Sequence, residues 1–139
     1  MPTDQELFDE LSFYTLAHGD SAFIHENSAD AYRAQHVDDT TKPMAVVFAV
    51  MGLYLYLEKN FTGRQVQLAH MRMARHRKEW PRVPIPKEQA SLTVADVLTA
   101  EPGPARDARI RDWCAAVWEI WQESRPQIVA LAKAELGVD

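Results

Sequence analysis

The sequence predicts an all-α fold, and three observations carry the prediction. Apolar residues recur three and four positions apart in every segment outside Pro81 to Gln89, and no stretch alternates with the period of a strand. Ser/Thr residues followed three positions later by Glu, Gln or Asp stand where such segments begin. Glycines and prolines, Gly52 apart, fall between the segments or at their ends. With 139 residues, 47% of them hydrophobic, the chain is long enough to bury a core as one helical domain over 1–139. The expected architecture is an antiparallel bundle of four core helices with additional C-terminal helices and a Pro-rich extended strap.

Thr3 and Glu6 form the first capping box, and Leu7, Leu11, Tyr14 and His18 follow on one face. Gly19 stops that helix, which spans about Asp4 to His18. Asp20 or Ser21 caps a second helix reaching about His36, with Phe23, Ile24, Ala31 and Ala34 as its apolar side. Val37 to Lys42 is a polar loop. Pro43 suits a first helical position, and the run behind it to Glu58 is apolar on every side, as befits the most buried helix. Thr62 and Gln65 open a fourth helix with Val66, Ala69, His70 and Met73 inside, ending near Trp80-Pro81. Pro81 to Pro86 cannot be helical and gives the strap. A short helix covers Thr93 to Ala100. A last one starts near Pro104, carries Ile110, Trp113, Cys114, Val117 and Trp121 on one side, restarts around Ser124 to Gln127, and ends at Gly137.

Composition narrows function without naming it. One cysteine excludes a disulfide framework and a multi-cysteine zinc site. The acidic, polar N-terminus argues against a signal or transit peptide, so the expected location is cytoplasmic. The apolar run from Met44 to Leu57 is too short to span a bilayer. Residues 1–39 hold nine acids and one base, whereas 59–87 hold eight bases and one acid. The basic stretch (Arg72, Arg75, Arg77, Lys78, Arg82) lacks interleaved aromatics and the whole chain is acidic, which argues against nucleic acid. Thr62-Gly63-Arg64-Gln65 reads either as an anion site at a helix N-terminus or as a plain cap. Cys114 reads as a small buried hydrophobe rather than a catalytic thiol.

The histidines are the most informative polar residues. With Glu58 they read either as metal ligands or as structural residues, His18 and Glu58 meeting helix ends or neighbours and His25 and His70 hydrogen-bonded at the core edge. His25 and His36 share a helix face but stand about 16 Å apart along the axis, so they cannot hold one ion together. His76 sits among arginines and reads as solvated. If the first four helices run antiparallel, His18, His25, Glu58 and His70 all belong to one end of the bundle. Imidazoles plus a carboxylate suit a divalent transition metal such as zinc, iron, nickel or manganese. Two functions remain open: a metal-binding helical protein with these four ligands, or a non-enzymatic interaction module acting as a homodimer through the tryptophans Trp113, Trp118 and Trp121 or through its charge asymmetry.

Several motifs recur together: Phe23-Ile24-His25, Asp30-Ala31-Tyr32-Arg33-Ala34-Gln35-His36, Gly52 through Glu58, His70, Trp80, Leu92 through Leu98, and the spacing Trp113, Val117-Trp118, Trp121. On these the chain resembles a bacterial family of small helical proteins carried as a domain of unknown function. The resemblance covers about Leu7 to Trp121 and singles out His25, Asp30, Gln35, His36, Glu58 and His70 as its polar positions. Many members begin with a Cys-x-x-Cys segment that this chain lacks.

Overall fold

The computed structural model describes all 139 residues and contains seven α-helices and no strand. They are α1 (Asp4–His18), α2 (Ile24–Gln35), α3 (Pro43–Glu58), α4 (Gly63–His76), α5 (Val94–Leu98), α6 (Pro104–Ile120) and α7 (Arg125–Leu136), with a 3-10 turn over Gln122–Ser124 before α7. None is long and apolar enough to cross a membrane.

The helix ends follow local chemistry. The capping boxes Thr3/Glu6, Thr62/Gln65 and Thr93/Asp96 all form, and Gly19 and Gly137 end α1 and α7 in the left-handed conformation. Two limits differ from the sequence expectation. Phe23 takes a left-handed backbone (φ 58°), so Asp20 to Phe23 forms a turn and α2 starts only at Ile24, whose N–H donates to the Asp20 carboxylate. α4 stops at His76 because Arg77 is extended, four residues before Pro81. The connection from Arg77 to Thr93 carries no helix or strand. It is tied down by buried Trp80 and Val83, and its Pro84 and Arg82 carbonyls accept from Ser124 and Gln127.

The core is arranged around α2, which packs on α1, α3, α4 and α6. This is a polar helix, but its inward positions are small: Ser28, Ala29, Ala31 and Ala34 are all buried. Small side chains let neighbouring backbones approach from several sides, so bulk comes from those neighbours. α3 supplies Val47, Val50, Met51, Leu53, Tyr54 and Leu55, while α6 and its following turn supply Ile110, Trp113, Val117, Trp118 and Trp121. A single cluster of 27 buried residues runs from Leu11 to Ala132. α1 adds only Leu11 and Thr15 to the buried set and lies against α2 and α5, so the C-terminal helices contribute more to the core than α1 does. The tryptophans Trp113, Trp118 and Trp121 are all buried, which corrects the expectation that their wall faces a partner. Trp113 Nε1–H donates to Gln35 Oε1 and Trp121 Nε1–H to the Ala34 carbonyl, so both indoles are anchored on α2.

α2 and α4 meet through a glycine. A Cβ on Gly63 would lie 1.9 Å from the Phe23 carbonyl oxygen, and Arg64 N–H donates to the Ala22 carbonyl at 2.8 Å. Gln65 N–H is taken by the Thr62 hydroxyl. These first-turn donors of α4 are therefore satisfied within the chain, and Gly63 serves backbone contact rather than anion binding.

Candidate metal centre

Glu26 and Asp30 lie four residues apart on α2 and so share a face. His70, from the inner side of α4, meets them. One donor atom from each of Glu26, Asp30 and His70 lies within 4.8 Å of the other two, a group that could hold a metal ion. Glu26 Oε2 is 3.7 Å from His70 Nδ1, with side-chain exposures of only 11% and 14%. Asp30 is 1% exposed. Its carboxylate occupies space that α3 leaves open at Gly52, where a Cβ would fall 1.9 Å from Asp30 Oδ2.

Polar satisfaction in this cluster is uneven. His70 Nε2 is 2.8 Å from the Phe48 carbonyl, an obligate acceptor, so Nε2 carries a proton. In the neutral ring, the Nδ1 lone pair then faces the carboxylates, as a carbonyl-oriented metal-ligating histidine does. The Phe48 ring stacks on the imidazole at 5.1 Å and fixes its plane further. Burial pushes the His70 pKa down, against the opposing influence of Glu26 and the Phe48 carbonyl. By contrast, Glu26 Oε2 and both oxygens of Asp30 are buried with no hydrogen-bond partner. Burial, reinforced by the charge of Glu26 and by the hydrogen bond that a protonated Asp30 gives the Glu26 carboxylate, and opposed by Arg33, pushes the Asp30 carboxyl well above the usual carboxylate range. Unpartnered carboxylate oxygens in a protein interior cost several kcal/mol unless a cation or a proton compensates them.

Of the four residues expected as ligands, His70 alone belongs to this cluster; His18, His25 and Glu58 are engaged elsewhere. His18 ends α1 beside Asp107 of α6, Nε2 to Oδ2 at 3.5 Å, and stacks on Tyr14. His25 points away from its neighbour Glu26, toward Thr15 of α1, with Nδ1 2.9 Å from Oγ1, and packs near Phe8 and Phe23. Glu58 accepts from Trp118 Nε1–H at 2.8 Å and from the Arg125 guanidinium on both oxygens. The expectation placed these four residues at the same end of the bundle, but their side chains take different directions: His25 faces α1, whereas Glu58 faces α6 and α7. Asp30 was marked only by the family resemblance. Glu26 was missed, although the spacing Glu26-x-x-x-Asp30 within a helix of small residues is the signal that could have found it. Cys114 is buried, donates toward the Asn27 carbonyl, and has its thiol pKa pushed up by burial, as befits a hydrophobe rather than a nucleophile.

The Glu58–Arg125 pair has a measurable role of its own. Hydrogen bonds from Arg125, opposed by burial and helped by Trp118, hold the Glu58 carboxyl below the usual glutamate range. A carboxylate with a depressed folded pKa contributes its stability fully above its unfolded pKa, and loses it as pH falls through the folded value. Glu58→Gln is therefore expected to shed part of the acid sensitivity, seen as a smaller fall in Tm than the parent's between about pH 6 and about pH 3.

Residues 3–122 match the family described as "Family of unknown function (DUF5946)". No curated protein and no solved structure matches the chain.

Proposed function

The chain belongs to the DUF5946 family, whose function is unknown, and we propose that it is a metal-binding protein in which Glu26, Asp30 and His70 ligate a divalent transition metal. The observation that carries this reading is the set of three partnerless buried carboxylate oxygens beside an imidazole whose other nitrogen is already fixed to a carbonyl. Two oxygens and one imidazole nitrogen suit manganese, iron(II) or zinc rather than a soft ion. The 3.7 Å between His70 Nδ1 and Glu26 Oε2 is less than twice a ligand bond of about 2.0–2.2 Å, so one ion could reach both. Three protein ligands leave a coordination position open, which is the pattern of catalytic rather than structural zinc sites. A metal held there supplies Lewis acidity and lowers the pKa of a bound water. The protein's part is to orient His70 through Phe48 and to keep the carboxylates dry against Gly52.

Melts of untagged protein with added zinc or manganese, and with a strong chelator, test the reading. The metal is expected to raise stability by about 2.7 kcal/mol at a concentration 100 times its Kd. His70→Ala should lose that gain, and His76→Ala, on the exposed side of α4, should keep it. Asp30→Asn should separate the states by sign. In chelator it should melt above the parent, because an uncompensated buried acid is gone; in metal it should melt below it. Identical melts with and without chelator, and no metal retained on elemental analysis, would overturn the proposal in favour of a protonated Asp30.

A further inference from the structure

Asp30 and His70 also border a cavity of about 320 Å³ between α2, the start of α3 and α4. Its size is at the low end for small-molecule sites. Met44, Phe48 and two alanines of α3 give it apolar walls, and two cations stand over it: Arg33, one turn beyond Asp30 on α2, and Lys42, the residue preceding α3. Neither makes an ion pair with any carboxylate of the chain. Arg33 is moreover the single base among residues 1–39, a segment with nine acids. Of those nine acids only Asp30 lines the cavity with Arg33, and the two make no ion pair, so the guanidinium stays open to an anion from outside the chain.

We propose that this cavity binds a small organic anion, its phosphate or carboxylate held by Arg33 and Lys42 and its short apolar part lying along Met44 and Phe48. The inference deepens the metal reading and rests on it for where the reacting end of the molecule lies, beside Asp30 and His70. The anion head stays with the two cations. Arg33 offers a planar fork suited to either anion, and Lys42 a mobile point charge.

The test uses n-butyl phosphate and butyrate as probes, with n-butanol as the uncharged control, in calorimetric titrations of metal-loaded and chelator-treated protein. One or both anions are expected to bind, n-butanol is not, and the tighter anion identifies the head group. Arg33→Gln or Lys42→Gln should each weaken that binding about tenfold or more, the loss of a charge-assisted hydrogen bond. Both variants should retain metal to the parent's level by elemental analysis, which also shows that they fold. Metal-loaded protein that ignores both anions, or that binds them equally after Arg33→Gln and Lys42→Gln together, overturns the inference and leaves the metal reading standing. Binding of n-butanol as tight as that of the anions overturns it too. Charge-dependent anion binding by protein that takes up no metal in any titration supports the anion site and removes the metal reading instead.

Discussion

Gly63→Ala is expected to cost about 3 kcal/mol, the upper part of the range for overpacking, because the added methyl meets backbone. Its nearest neighbour would be the Phe23 carbonyl oxygen at 1.9 Å, with the Phe23 carbonyl carbon at 2.9 Å and Asn27 Oδ1 at 3.0 Å. Phe23 already sits in a left-handed conformation and cannot swing aside cheaply. The only relief is to push α4 away from the start of α2, which also breaks the bond from Arg64 N–H to Ala22. Since α2 carries Glu26 and Asp30 while α4 carries His70, the same shift should loosen the metal centre. The expected result is a lower denaturant midpoint together with weaker metal retention. Gly52→Ala makes the contrast: its methyl meets the Asp30 carboxylate, a side chain that can rotate. It should cost less stability but disable the centre more completely. Chemical denaturation and metal titration of the two variants check the pair.

Trp113→Ala should have the largest effect on stability, about 3–5 kcal/mol from the cavity alone. The indole is fully buried at the junction of α6 with α2. Gln35 compounds the loss: its Nε2 donates to the Leu92 carbonyl at 2.8 Å and its Oε1 accepts from the indole, so the amide links α2, α6 and the segment before α5. Trp113→Phe keeps most of the volume but leaves Gln35 Oε1 without its donor, and should fall between the parent and the alanine variant. Urea midpoints, with the slope checked for a change in the denatured state, give the ranking. If Phe and Ala cost the same, the hydrogen bond through Gln35 governs this junction and the volume does not.

Local grammar was legible in the sequence. Thr3, Thr62 and Thr93 with their partners, Pro43 and Pro104 at helix starts, and Gly19 and Gly137 at helix ends each act within a few residues, so reading the string suffices. The inner face of α4 was legible for the same reason, since Val66, Ala69 and Met73 repeat at the helical period. The central position of α2 was not. A hydrophobicity pattern weights large apolar side chains, and α2 is central because its side chains are small. The divergence of His25 and Glu26 follows from the helical turn of about 100° per residue, but which neighbour each one meets was not legible, because it depends on how α1 and α4 pack on α2. The left-handed Phe23 that precedes α2 was not legible either, since no local rule favours that conformation in a phenylalanine.

The position of α2 among its neighbours also bears on the order in which the chain assembles. Its pairings with α3 and α4 close loops of about 20 to 40 residues, whereas its pairing with α6 closes about 80. Each doubling of loop length adds about 0.6 kcal/mol of closure entropy, so docking α6 carries about 0.6–1.2 kcal/mol more than docking α3 or α4. Contacts near in sequence form first when other things are equal. Glu26, Asp30 and His70, with the Gly52 space and the Phe48 carbonyl, all lie within residues 26–70, so the centre belongs to the early-closing part of the chain. α6 then docks on α2 after these three residues are already gathered, and the nascent chain carries all three proposed ligands before its last third has been synthesised.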